Sequence, residues 1–145
     1  MLYMEVVFTT PDTNRMEIAR QTPADLLDIE RELIAREPIF HRSEFGTTRA
    51  DFEAMMAADF WETGASGNSY GRAYILDVLE ARHAQPVEES WEASEFYCQR
   101  IADNNYLLTY RLRQGARITR RATLWRRVLL TWVIVYHQGT IVAAT

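Results

Sequence analysis

Chemistry in this chain can start from one histidine and one glutamate. His137 stands at the polar end of a strand-like run, WVIVYHQGT (132–140). Its imidazole titrates near neutral pH, so inside a pocket it could move a proton. Glu62 lies in Phe60-Trp61-Glu62-Thr63, two residues from Phe60 and therefore on the same strand face. With Phe60 inward, Glu62 sits at a pocket mouth, where burial would raise its pKa enough to make it a base. Together they would supply acid and base partners, although nothing local in the sequence joins them. Each also has a plainer reading: a strand-end histidine bonded to backbone or water, and an exposed glutamate.

A binding role points to a second group. Tyr106, Leu108, Tyr110 and Leu112 alternate as one apolar strand face. If the turn at 114–117 pairs Arg113 with Ile118, then Thr119, Arg121, Thr123 and Trp125 share that inner face. Tyr110, Arg121, Thr123 and Trp125, with Gln138 next to His137, are the candidate ligand contacts: aromatic rings with a few oriented polar groups. Arg121 could hold a carboxylate bidentately. A slip of one residue would move the whole set to the outer face.

Other chemistries find little support. All 16 basic residues are arginine, which removes mechanisms needing a Schiff-base or phosphate-loop lysine. His41, His83 and His137 are scattered, no H-x-x-x-H or C-x-x-C spacing occurs, and no metal or other cofactor is expected. Cys98, the single cysteine, reads as a buried thiol in a reducing compartment. The glycines at 64, 67 and 71 match no nucleotide-binding spacing. Residues 1–103 carry a net charge of −11 and residues 104–145 carry +7. Pairing within the chain or across a dimer would use this asymmetry, as would an anionic ligand. Strand alternation splits the arginines at 111–127 between two faces, so nucleic-acid binding is not expected. The N-terminus has no basic leader and no apolar run approaches the roughly 20 residues of a spanning helix, so a cytoplasmic location without membrane contact is expected.

The elements that must position these residues follow from period and punctuation. Thr22-Pro23-Ala24-Asp25 starts a helix capped by Thr22, with Leu26, Leu27, Ile29, Leu33 and Ile34 on its apolar stripe and Pro38 beyond its end. Thr48-Arg-Ala-Asp51 starts a short second helix burying Phe52, Met55 and Met56, and Phe60–Thr63 is a strand. Residues 64–71 are a loop, and a third helix covers 73–82 with Pro86 beyond it. From Trp91 the period becomes two, giving strands at 91–99, 106–113, 118–127 and 132–138. Helices first and hairpin strands afterwards mean an α+β fold, with a curved antiparallel sheet packed on N-terminal helices. Residues 1–21 form an arm, and 22–145 form one domain.

The inward or outward aim of His137 depends on the apolar turn Val128-Leu129-Leu130-Thr131. A two-residue loop pairs Val128 with Thr131 and hence Thr123 with Tyr136, sending His137 outward. One more loop residue pairs Thr123 with His137 and brings the imidazole inside.

The order of elements, with FEAMMAADFWETGASGNSYGRAYIL (52–76), YRLRQGARITRRATLWRR (110–127) and WVIVYHQGT (132–140), resembles the nuclear-transport-factor-2-like (NTF2-like) superfamily over residues 22–142. The likeness is to its SnoaL-like branch, domain of unknown function 4440; the apolar turn at 128–131 departs from the polar hairpin usual there. The resemblance implies a cone-shaped α+β fold with an internal pocket and a homodimer through the sheet face. Some relatives place an acid/base carboxylate or histidine in the cone, others only bind a ligand or assemble, so fold alone does not imply catalysis. Three expectations follow. The first is a small-molecule-binding protein with an apolar, aromatic-lined pocket suited to an anionic or carboxylate ligand. The second is a cofactor-free isomerase, dehydratase or cyclase using Glu62 and His137. The third is an assembly module.

Overall fold

The computed structural model describes residues 20–84 and 90–143. The expected arm falls almost entirely outside these residues, as does Pro86. Three α-helices occur among them: α1 (Leu27–Ile34), entered through a 3-10 turn at Ala24–Leu26; α2 (Arg49–Met55); and α3 (Arg72–Ala84). Six strands follow the chain as β1 (Met56–Thr63), β2 (Ser69–Gly71), β3 (Glu92–Ala102), β4 (Asn105–Gln114), β5 (Arg117–Val128) and β6 (Thr131–Ile141). They form one curved, unclosed sheet in the order β2-β1-β6-β5-β4-β3. This is the expected α+β class.

Local signals built most of these elements where the sequence placed them. Thr48 accepts a hydrogen bond from the Asp51 amide at 3.2 Å, and Asp51 Oδ2 accepts from Thr48 N at 3.1 Å, a reciprocal cap that satisfies two orphan donors of α2. Gly46 is required just before it. Its φ is +122°, and a Cβ there would collide with the Asp51 side chain.

Five details differ from the sequence reading. Thr22 does not cap its helix. Its hydroxyl accepts from Cys98 N at 3.0 Å and donates to Glu30, tying the helix entry to β3. Leu27 leaves the apolar stripe and is exposed. Met56 opens β1 instead of ending α2, and Ser69–Gly71, expected as loop, folds back on β1 as β2. Last, the sheet is not wholly antiparallel, because β1 runs parallel to β6. Parallel neighbours need a long connection, and the chain between β1 and β6 includes α3 and four strands.

The helices cover the concave face of the sheet. Leu26, Leu33, Phe52, Ile75, Leu76 and Leu79 meet Leu108, Tyr110, Leu112, Trp125, Trp132 and Ile134 in one core. The alternation of β4 is as read: Tyr106, Leu108, Tyr110 and Leu112 are buried. Arg113 pairs with Ile118, which sends Thr119, Thr123 and Trp125 inward, and Arg121 with them.

The last hairpin resolves in a way neither alternative foresaw. Val128 pairs with Thr131 across a two-residue loop, yet Thr123 pairs with His137. The extra residue lies in the strand: Trp125 pairs with Ile134 and Leu124 with Tyr136, leaving Val135 as a bulge. That bulge resets the register, and His137 points inward with only 3% of its surface exposed.

Candidate functional site

A cavity of about 280 Å³ opens between α3, the start of the loop after β1, and the ends of β4–β6. His41, Glu62, Arg82, Gln114, Arg117, Arg121 and His137 supply its polar wall, and Ile39, Phe40, Ile75 and Leu79 its apolar one. Glu62 and His137 are direct partners across the parallel β1–β6 pair, so tertiary structure joins what the sequence left apart. Arg121 is half-buried between them and the opposite wall. Its Nε donates to Thr119 Oγ1 at 3.1 Å, and its Nη1 lies 3.5 Å from His137 Nε2. Arg82 Nη1 lies 3.3 Å from His41 Nε2, and Arg82 and Arg117 are exposed at the rim. Among the described residues, none of these three arginines is within salt-bridge distance of a carboxylate. The field they set up is therefore cationic, with Glu62 as the one carboxylate that the described residues place on the wall.

Burial and charge set the protonation states. Burial raises the Glu62 carboxyl above its ordinary value, while Arg121 and Arg82 pull it back. His137 is lowered to about 3, first by burial and then by Arg121 and His41, so it is neutral at pH 7. Because a guanidinium only donates, Nε2 facing Arg121 must carry the lone pair. The proton then sits on Nδ1, which bonds Thr123 Oγ1 at 2.8 Å.

Behind this wall stands a residue that sequence reasoning passed over. Glu37, 1% exposed, accepts from Tyr110 Oη at 2.6 Å and from Trp125 Nε1 at 3.1 Å, and Thr123 also hydrogen-bonds it. Burial pushes its carboxyl up to about 7, against the pull of these three donors and Arg121. A signal existed: Glu37 is the single acid within Ile39-Phe40 on one side and Leu33-Ile34 on the other, and buried Tyr and Trp need an acceptor for their polar tips. His41, Arg82 and Arg117 were likewise not singled out as wall residues, since three separate segments deliver them.

The candidate ligand contacts divide. Arg121 lines the cavity. Tyr110, Thr123 and Trp125 lie inward as read, but they are spent on Glu37 and His137 and form a layer beneath the wall. Gln138 points to the opposite face, exposed, where it accepts from Tyr136 Oη at 2.9 Å. An aromatic lining is thus replaced by a polar one, because the inward Tyr and Trp turn their polar tips to Glu37. No group of three or more His, Cys, Asp or Glu among the described residues could hold a metal ion. Burial, followed by Glu30, pushes the Cys98 thiol up to about 11, so it is a poor nucleophile. No helix among the described residues is long and apolar enough to cross a membrane.

Comparison with known proteins was informative at the level of fold. No protein-family model matches the sequence, and no curated protein does. Among solved structures, an NTF2-like protein from Rhodospirillum rubrum superposes with a TM-score of 0.58 at 15% identity, over 82% of this chain and 99% of its own. A cystatin-like-fold protein from Caulobacter vibrioides gives 0.58 at 17% identity, over 79% and 87%. A protein of unknown function from the DUF3225 family of Pectobacterium atrosepticum gives 0.59 at 15% identity, over 85% and 100%. These likenesses show the NTF2-like, cystatin-like fold and do not single out the SnoaL-like branch.

Proposed function

We propose, with the NTF2-like, cystatin-like fold as the premise, that this chain binds a small organic anion in its polar cavity. The fold is one that often binds small molecules. The observation that carries the reading is the convergence of Arg82, Arg117 and Arg121 on one cavity with no carboxylate partner at salt-bridge distance among the described residues. A carboxylate would meet Arg121 bidentately in a half-buried setting, where charge-assisted hydrogen bonds gain strength. Glu62 repels a second negative charge, which favours a monoanion. The test is calorimetric titration with butyrate and with butyramide. Binding of butyrate, absence of butyramide binding, and loss of butyrate binding in Arg121→Gln are expected. Equal binding of acid and amide would overturn the reading.

A second reading, proton transfer on the bound molecule, draws on one observation: Glu62 and His137 face each other on the cavity wall. It predicts that Glu62→Gln lowers turnover while ligand affinity changes by less than about tenfold.

The proposal includes a homodimer through the outer face of the sheet. Leu107, Leu124, Tyr136 and Trp61 pair in one row across four strands there, and Trp61 is 48% exposed. Sedimentation as a monomer at micromolar concentration would remove this part, and with it the assembly role.

A further inference from the structure

Anion binding has no use for Glu37. A carboxyl group withdrawn from solvent normally has a charged partner, yet its neighbours are Tyr110, Trp125 and Thr123, with Arg121 further off and Arg42 donating to its backbone carbonyl at 2.8 Å. Thr123 touches both Glu37 and His137, and His137 touches the cavity. We propose that Glu37, Thr123 and His137 form a proton relay ending at the cavity wall, which abstracts and returns a proton on a bound carbonyl compound bearing a carboxylate. The inference rests on the anion-binding reading, which provides the ligand's anchor at Arg121.

The donor directions fit the relay from end to end. His137 Nε2 holds a lone pair at the wall, Nδ1–H donates to Thr123 Oγ1, and Thr123 donates to the Glu37 carboxylate. A ligand carboxylate draws the Arg121 guanidinium to itself and uncovers Nε2, whose contact with Nη1 is already long at 3.5 Å. Nε2 then takes the proton from the carbon next to the ligand's carbonyl. The C–H bond breaks, an N–H bond forms, and the electron pair moves into the carbonyl to give an enolate held by the arginines. In the same movement Nδ1–H passes to Thr123, and the proton of Thr123 passes to Glu37. The imidazole stays neutral throughout, which its burial beside Arg121 and His41 demands. Reversal returns a proton to the same carbon or to a conjugated one, with no co-reactant. The groups facing the relay are Tyr110, Trp125 and Arg121 at Glu37, and Arg121, His41 and the cross-strand Glu62 at His137. Glu37 and Thr123 are positioning and proton-storing residues; His137 is the catalytic one.

The experiment uses 2-oxobutyrate in D2O, with exchange at its C3 followed by proton NMR and binding followed by calorimetry. The wild type is expected to bind the probe and accelerate exchange. Glu37→Gln and Thr123→Val should each slow exchange at least about tenfold, while affinity stays within about threefold. Thr123→Ser, which keeps the hydroxyl, should restore most of the rate, and thermal melts of the variants report whether they fold. The wild-type rate should rise with pH around 7, where Glu37 becomes able to accept a proton, and this inflexion should vanish in Glu37→Gln. The relay is overturned if folded Glu37→Gln and Thr123→Val exchange at the wild-type rate, or if the wild type binds the probe without accelerating exchange. Failure of the wild type to bind either 2-oxobutyrate or butyrate overturns the anion reading, and the relay with it.

Discussion

On their inner face, strands β5 and β6 wall two hollows of different polarity. At one end Arg121, His137 and Gly139 face the polar cavity with Glu62, Arg82 and Arg117. At the other, Trp125, Leu130, Trp132 and Ile134 meet Phe40, Phe45 and Met55 around a smaller hollow of about 160 Å³, with Arg36 and Arg42 also on its wall. The same strand faces change from apolar to charged within a few residues, and the Val135 bulge sits at the change. Binding and stability are therefore separated along one hairpin. The apolar end carries packing energy, and the polar end carries charges that cost energy to hold near one another.

Breaking the apolar end should have the largest effect. Trp132 is buried, edge-on to Tyr106 with ring centres 5.5 Å apart, and its Nε1 donates to Glu32 at 3.2 Å. Trp132→Ala should destabilise the fold by about 3–5 kcal/mol in denaturant unfolding. Butyrate affinity, measured where the variant is folded, should be unchanged; a matching loss of affinity would break the separation.

The next effect is in the pH dependence of stability. Glu37 rises from 4.5 to about 7 on folding, so the folded state holds the extra proton there and stability falls as pH rises through that window. His137 falls from 6.5 to about 3, so the unfolded state holds the extra proton and stability rises with pH through its window. Where the two windows overlap, between 4.5 and 6.5, the slopes largely cancel in the wild type. His137→Gln removes one of them. Its stability should then drop by roughly 3 kcal/mol between pH 4.5 and 7, read from urea midpoints across pH.

Arg121→Ala tests the polar end directly. Butyrate affinity should fall about a hundredfold, roughly 2.7 kcal/mol, while the melting temperature moves by only a few degrees. A large loss of stability instead would mean that Arg121 is structural. The smallest effect belongs to the turn. Leu129 has φ +56° and is 91% exposed, so its side chain accepts a left-handed backbone and packs on little. Leu129→Gly should stabilise the hairpin by about 1 kcal/mol without touching the cavity.

Much of the fold was legible because it is local. Thr48 and Asp51 cap α2 three residues apart, and the period-two runs of β3–β6 appear where alternation begins. The inward set Thr119–Thr123–Trp125 followed from one turn, since alternation propagates a register along a strand. The inward aim of His137 was not legible, because a bulge can absorb the residue that a loop otherwise must. Val135 carries no mark distinguishing it from Val133.

The amino-acid sequence by itself determined the α+β order, the faces of β4 and β5, and a chemistry built from arginine, histidine and carboxylate without lysine. Those depend on period, capping and composition, which act over a few residues. Only tertiary structure decided that Glu62 faces His137 across a parallel pair, that three arginines share a cavity, and that Glu37 lies buried behind them. Such meetings join residues up to a hundred positions apart, and burial, not sequence distance, sets what their protons can do.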